Sequence, residues 1–148
     1  RKHSLPFLRW VDCFIPCAAL AQGFGRIGCF LAGCCFGKPT ESFLGVTFPA
    51  GSMAPAGIPL WPVQLFSAAG DFLLAGALLL LEKKRRGDGL LAGAYLLLYS
   101  IGRFLIEFLR ADPRGAVGTL STSQFIALFT AAAGAAILIL RKRGTPHG

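Results

Sequence analysis

The sequence predicts an all-α, polytopic transmembrane helical bundle, and three observations predict it. First, 54% of the 148 residues are hydrophobic and 15% charged, with mean hydropathy +0.61. That balance leaves too few polar residues to coat a soluble domain of this size. Second, four apolar stretches approach the roughly 20 residues that cross a hydrocarbon core about 30 Å thick. Third, the cations gather at the ends of those stretches. Ten of the fifteen Lys and Arg are Arg1, Lys2 and Arg9, then Lys83, Lys84, Arg85 and Arg86, then Arg141, Lys142 and Arg143. The net charge of +8 therefore does not mark a nucleic-acid partner, since no basic face interleaved with aromatics is present.

Taken in order, span one runs over about Val11–Leu31, span two Pro62–Leu81, span three Gly89–Leu109 and span four Leu120–Leu140, within one transmembrane domain over residues 1–148. The chain starts at Arg1 rather than Met and no cleavable signal precedes span one, so it reads as cut from a longer protein. Between spans two and three lies a tight basic turn, Glu82–Asp88, whereas the connections Lys38–Trp61 and Arg110–Thr119 carry only Lys38, Arg110 and Arg114 as cations. Positive loops stay in the cytoplasm. The rule puts the amino end, the basic turn and the carboxyl end inside, and the loop 38–61 and the short second connection outside. In the outer loop Phe43–Phe48 reads as a short strand, while Pro39, Pro49, Pro55 and Pro59 exclude a long helix.

Charge inside a bilayer is costly, so each intramembrane ionisable residue is a functional candidate. Here these are Asp12, Arg26, Asp71, Arg103 and Glu107. Asp12 lies at the inner edge and reads as interfacial. A rise of about 1.5 Å per residue puts Arg26 about 22 Å and Arg103 about 21 Å from the inner ends of their spans, one level for both. Counted from the outer ends, Gln64, Glu107 and Gln124 lie roughly 3 to 6 Å deep and Asp71 about 14 Å. Most polar groups thus fall in the outer third, the depth of a phospholipid headgroup and its glycerol.

In span three, Tyr95, Tyr99, Arg103 and Glu107 recur every four residues, with Arg110 three further on, making a polar stripe on one helix face. Two readings of Arg103 stay open: a structural pair with Glu107, or a ligand-binding cation. Arg26 has no carboxylate four residues away in its own span. It needs a partner from another helix or an anionic ligand, and its planar fork suits phosphate.

Gly23, Gly25 and Gly28 around Arg26 formally match G-x-G-x-x-G, but no strand precedes them and no βαβ unit surrounds them, which argues against a dinucleotide site. They thin the helix, either for helix packing or for close approach of a backbone or lipid to Arg26, and Gly33 and Gly37 continue the pattern. All five cysteines fall between positions 13 and 35. The spacing C-x4-C-C with no nearby His does not match a zinc site, so no metal is expected. Cys13, Cys17 and Cys29 read as small apolar packing residues. His3 and His147 lie near the chain ends, away from the outer-third groups.

The run Gly25-Arg26-Ile27-Gly28-Cys29-Phe30-Leu31-Ala32-Gly33-Cys34-Cys35-Phe36-Gly37 resembles the signature of the prolipoprotein diacylglyceryl transferase family. Pro62–Phe66, Tyr99 through Arg110, and Leu120-Ser121 followed by Gln124 continue the likeness in the family's order. The resemblance implies the last four of about seven spans in a multi-pass protein of the bacterial inner membrane, its carboxyl end cytoplasmic as the charge rule also has it. It implies transfer of the diacylglyceryl group of phosphatidylglycerol to the lipobox cysteine thiol of a preprolipoprotein, with release of glycerol phosphate, the first step of lipoprotein maturation. The implied partners are phosphatidylglycerol, preprolipoprotein signal peptides and membrane lipid, with no nucleic acid and no metal or organic cofactor. Carried over by position, Arg26 and Arg103 match the family's essential arginines, Tyr99 and Glu107 its span-three polar positions, and Gly37 its closing glycine. Catalytic candidates are Arg26, Arg103, Glu107 and Tyr99; substrate-binding candidates are Arg26, Arg103, Gly25, Gly28, Gly37, Gln64 and Gln124. The sequence departs from the usual signature at Cys29 and Ala32, where Asn is usual, at Cys34, where Glu is usual, and at Phe66-Ser67 in place of Tyr-Glu.

Displacing a phosphate-bearing leaving group with a thiolate needs cations on the phosphate and a base for the thiol. Two arginines at one depth supply the first; the base is not visible among these residues. Leu31-Ala32-Gly33-Cys34 is itself a lipobox, but Arg26 inside the apolar run and three further spans argue against a lipoprotein substrate. A transporter favours a midplane site, which only Asp71 fits. An inactive or altered-substrate homologue is the alternative raised by the changed Asn and Glu positions.

Overall fold

The structure, a computed structural model, describes residues 7–83, 88–110, 116–117 and 120–143. The basic turn at 84–87, most of the Arg110–Thr119 connection and both chain ends, with Arg1, Lys2, His3 and His147, lie outside the described residues. Four helices dominate: α1 (Phe7–Leu31), α2 (Val63–Lys83), α3 (Leu90–Glu107) and α4 (Thr122–Arg143). Each is long and apolar enough to cross a membrane. The two-residue strands β1 (Ala116–Val117) and β2 (Leu120–Ser121) pair antiparallel just before α4.

Helix ends follow local chemistry. At the start of α2, Pro62 has no N–H to leave unpaired, and its carbonyl accepts from Leu65 and Phe66. Residue Ser121 opens α4 with a capping box: its Oγ accepts from the Gln124 N–H at 3.2 Å, while Gln124 Oε1 accepts from the Ser121 N–H at 3.1 Å. At α3 the cap comes from another helix. Gly89, with φ 84°, offers no side chain, and Asp12 of α1 accepts from the N–H groups of Gly89 and Ala92, each at 2.8 Å. Asp12 is fully buried, so it is more than an interfacial residue: its carboxylate satisfies two N–H groups at the positive end of the α3 dipole.

The core lies where α1, α2 and α3 meet, built from Ala19, Leu74, Ala75, Leu78, Leu91 and Ala94. Small residues let the backbones approach closely. Between α3 and α4 the approach is tighter still. A Cβ on Gly134 would lie 2.8 Å from the Leu97 nitrogen and 2.9 Å from the Gly93 carbonyl oxygen. Ser100 Oγ and Thr130 Oγ1 share a hydrogen bond of 2.6 Å across the same seam. Only 17% of the apolar Thr122–Leu140 window is buried, so most of its hydrocarbon surface faces outward, as a membrane-embedded helix requires.

The long loop folds over one end of the bundle on a small cluster of Phe48, Ala54 and Leu60, with Phe30 and Phe36 packed against it. The expected strand at Phe43–Phe48 is corrected to isolated bridges, Val46 with Leu60 and Phe48 with Ala56. The prolines at 49, 55 and 59 lack the N–H groups a continuous ladder would use. At Gly37 three backbone segments converge. Its N–H donates to the Trp61 carbonyl at 3.0 Å, and a Cβ there would sit 2.6 Å from that oxygen and 2.8 Å from the Leu109 oxygen.

Candidate functional site

The polar stripe of α3 carries the site. Tyr95 and Tyr99 stack with ring centroids 5.4 Å apart, and the Tyr95 hydroxyl donates to Gln22 Oε1 of α1 at 2.7 Å. One turn on, Arg103 Nη2 lies 3.6 Å from Glu107 Oε2 and donates to Ser123 Oγ of α4 at 3.3 Å. The same Glu107 oxygen lies 3.9 Å from Arg110 Nε and accepts no hydrogen bond. The Arg103–Glu107 contact is therefore a loose electrostatic pair shared with Arg110. It does not use up the guanidinium of Arg103.

That guanidinium also lines a cavity of about 410 Å³ with Arg26 from α1, Ser67 and Asp71 from α2, and Tyr99 from α3. Arg26 and Arg103 act on each other electrostatically, and the buried Asp71 interacts with both. Among the described residues Arg26 makes no hydrogen bond or ion pair. Two guanidinium groups and one carboxylate give the cavity wall a net charge of +1 if all are ionised. Apolar walls, including Leu73, Leu74 and Leu98, make that charge felt strongly. Chemically, the cavity suits an anionic group whose apolar parts lie along hydrocarbon.

A second cavity, of about 380 Å³, lies on the α4 side of the stripe and is lined by Tyr95, Tyr99, Ser100, Arg103, Ser123 and Thr130 among others. Tyr99 and Arg103 belong to both cavities.

The structure thus brings together Arg26, Arg103 and Tyr99 of the sequence candidates, with Glu107 behind Arg103. It engages others elsewhere. Gln64 is buried, and its Nε2 donates to the Cys34 carbonyl at 2.7 Å. Gln124 is spent on the α4 capping box. Gly37 serves the backbone crossing, and Gly25 and Gly28 have open space where a side chain would point. Asp71, a candidate by its intramembrane charge, is not grouped with the arginines by sequence, because a depth count along separate spans places it below them and takes no account of side-chain reach. Its signal was present: it is the only aspartate within span two.

The turn after α1 holds another group. Gly33, with φ 66°, closes a Schellman motif in which its N–H donates to the Phe30 carbonyl and the Cys34 N–H to the Cys29 carbonyl, both at 3.0 Å. The Sγ atoms of Cys29, Cys34 and Cys35 all lie within 4.8 Å of one another. Burial, then hydrogen bonding to and the charge of Cys29 and Cys35, push the Cys34 thiol up to about 11. Cys13 and Cys17 are exposed, so the packing role expected for them is not met within the described bundle.

Four helices long and apolar enough to cross a membrane, three of which line a cavity carrying two guanidinium groups, define an integral membrane protein. Residues 1–140 match the family described as prolipoprotein diacylglyceryl transferase. Over 128 residues the chain is 53% identical to phosphatidylglycerol–prolipoprotein diacylglyceryl transferase 2 of Clostridium perfringens, covering 86% of this chain and 50% of that protein. It is 51% identical over 130 residues to the corresponding transferase of Clostridium tetani, covering 88% and 52%. To that of Chlorobaculum tepidum it is 36% identical over 148 residues, covering 97% and 50%. The chain belongs to the prolipoprotein diacylglyceryl transferase family. It spans about half the length of the curated relatives it matches.

Proposed function

We propose that the chain carries the phosphate-binding part of an enzyme that moves the diacylglyceryl group of phosphatidylglycerol onto the lipobox cysteine of a preprolipoprotein. One observation carries this reading: Arg26 and Arg103, from different helices, line one cavity, and Arg26 has no hydrogen bond or ion pair among the described residues. With Asp71 ionised, the two guanidinium groups leave that cavity wall a net +1, which matches the single negative charge of a phosphodiester. In the reaction a thiolate attacks the diacylglyceryl carbon, the carbon–oxygen bond to phosphate breaks, and glycerol phosphate departs with the electron pair. Charge grows on the phosphate as that bond opens, so two preorganised guanidinium groups stabilise the transition state more than the bound lipid. Tyr99 and Glu107 would orient Arg103, and Asp71 would keep the two cations from repelling each other before the lipid binds.

The same reading puts the protein in the bacterial inner membrane, with the cavity toward the outer side and the carboxyl end in the cytoplasm. An altered-substrate homologue is the second reading, favoured by the thiols of Cys29 and Cys34 where the usual signature carries Asn and Glu.

The test is lipid transfer by the full-length protein from phosphatidylglycerol to a lipobox peptide, normalised to inserted protein. Arg26→Lys and Arg103→Lys keep the charge and lose the two-pronged contact. Each is expected to slow transfer roughly 30- to 1,000-fold, or about 2–4 kcal/mol of transition-state stabilisation. Near-normal transfer by the double variant Arg103→Leu/Glu107→Leu would instead make Arg103 structural, because buried pairs exchanged for apolar residues are often tolerated. Absence of transfer by the unaltered protein would favour the second reading.

A further inference from the structure

The most distinctive chemistry outside the arginine cavity is the turn that ends α1. We propose that Cys29, Cys34 and Cys35 form a three-sulfur site for a soft, thiophilic cation of the Cu(I) type.

The argument begins with the backbone. In a Schellman motif the residue three from the helix end meets the second residue beyond it, and this contact is commonly apolar. Here those two positions are Cys29 and Cys34, so the turn itself sets one thiol against the other. Cys35 follows with φ 58°, in the left-handed region where only glycines are otherwise found among the described residues. A non-glycine residue held there is strained and persists where its surroundings impose it. The result is that the third sulfur joins the other two. Gln64, itself buried, donates to the Cys34 carbonyl at 2.7 Å and ties the turn to α2.

The spacing fits an ion. Three sulfurs bonded to one metal at about 2.3 Å lie roughly 3.8–4.0 Å apart, inside the 4.8 Å limit that all three already meet. Little movement separates the apo turn from a bound one. All three residues are half-buried, and Phe48 and Ser52 pack against the turn at Gly33. None of the three lines either arginine-containing cavity.

Ligand type selects the ion. Thiolates favour Cu(I), Zn(II) and iron–sulfur clusters. Structural zinc takes four protein ligands and iron–sulfur clusters take four cysteines, whereas among the described residues the group has three members and no histidine. A monovalent d10 ion is satisfied by three sulfurs. Each sulfur that joins it gives its proton to water, and no electron is transferred.

The test is anaerobic Cu(I) titration of the full-length protein in detergent, with a phosphine reductant and bicinchoninate as the competing chelator. One Cu(I) per chain should be withheld from the chelator, with sulfur neighbours seen by X-ray absorption on the unaltered protein. Cys29→Ser, Cys34→Ser and Cys35→Ser should each weaken retention at least tenfold, while the control Cys13→Ser/Cys17→Ser should retain the ion. The X-ray measurement needs no variant, so a folding failure in the serine variants leaves the proposal testable. The proposal is overturned by absence of retained Cu(I), by equal retention in the Cys29→Ser/Cys34→Ser/Cys35→Ser triple variant, or by retention of Zn(II) in preference to Cu(I). A disulfide between any two of the three in the presence of reductant would overturn it as well.

Discussion

Replacing Asp12 by Asn would turn one of its two side-chain acceptors into a donor aimed at a helix amino end. The carboxylate accepts from Gly89 and Ala92 while fully buried, and a buried N–H left without its partner costs about 1–3 kcal/mol. Asp12→Asn should therefore lower the thermal midpoint of the purified full-length protein clearly, with Asp12→Glu falling between; an unchanged midpoint would remove the capping role. Nothing local in the sequence shows this contact, because donor and acceptor stand 77 positions apart. Gln124 is the opposite case. The pattern Ser121-x-x-Gln124 is a helix-start signature that sequence alone displays, yet depth in the membrane drew it toward the lipid instead. Arg26 was legible for a physical reason: a cation inside an apolar span without a carboxylate one turn away must be answered from elsewhere.

At the scale of elements, hydropathy delivered the four helices, and capping chemistry moved their ends by a few residues. The seam between α3 and α4 depends on glycine. Gly134→Leu would force a side chain into the Leu97 nitrogen and the Gly93 carbonyl, and overpacking of this kind costs about 1–3 kcal/mol or more. The variant should melt at lower temperature and lose transfer activity, whereas Gly76→Ala in α2, with open space around its added methyl, should be neutral or slightly stabilising. Equal behaviour of the two would show that the seam is loose. The thiol trio was hidden for a related reason. Spacing along the chain describes a helix or a strand, and the Schellman turn is neither, so C-x4-C-C did not reveal three convergent sulfurs.

For the molecule as a whole, the charge clusters predict one orientation. In a background with the five native cysteines replaced, Met53→Cys should react with a membrane-impermeant thiol reagent in intact cells. Lys83→Cys should react only after the membrane is opened. Both positions are exposed at opposite ends of the bundle's helices, so equal labelling would overturn the orientation and every depth counted from it. The most consequential arrangement is the one at Tyr99 and Arg103, which face two cavities at once. An occupant of one cavity that moves either side chain changes what the other cavity offers. Any linkage of that kind between the two is reciprocal: whatever factor one ligand imposes on the other's affinity is returned in full. The order in which two ligands arrive then leaves the final free energy unchanged.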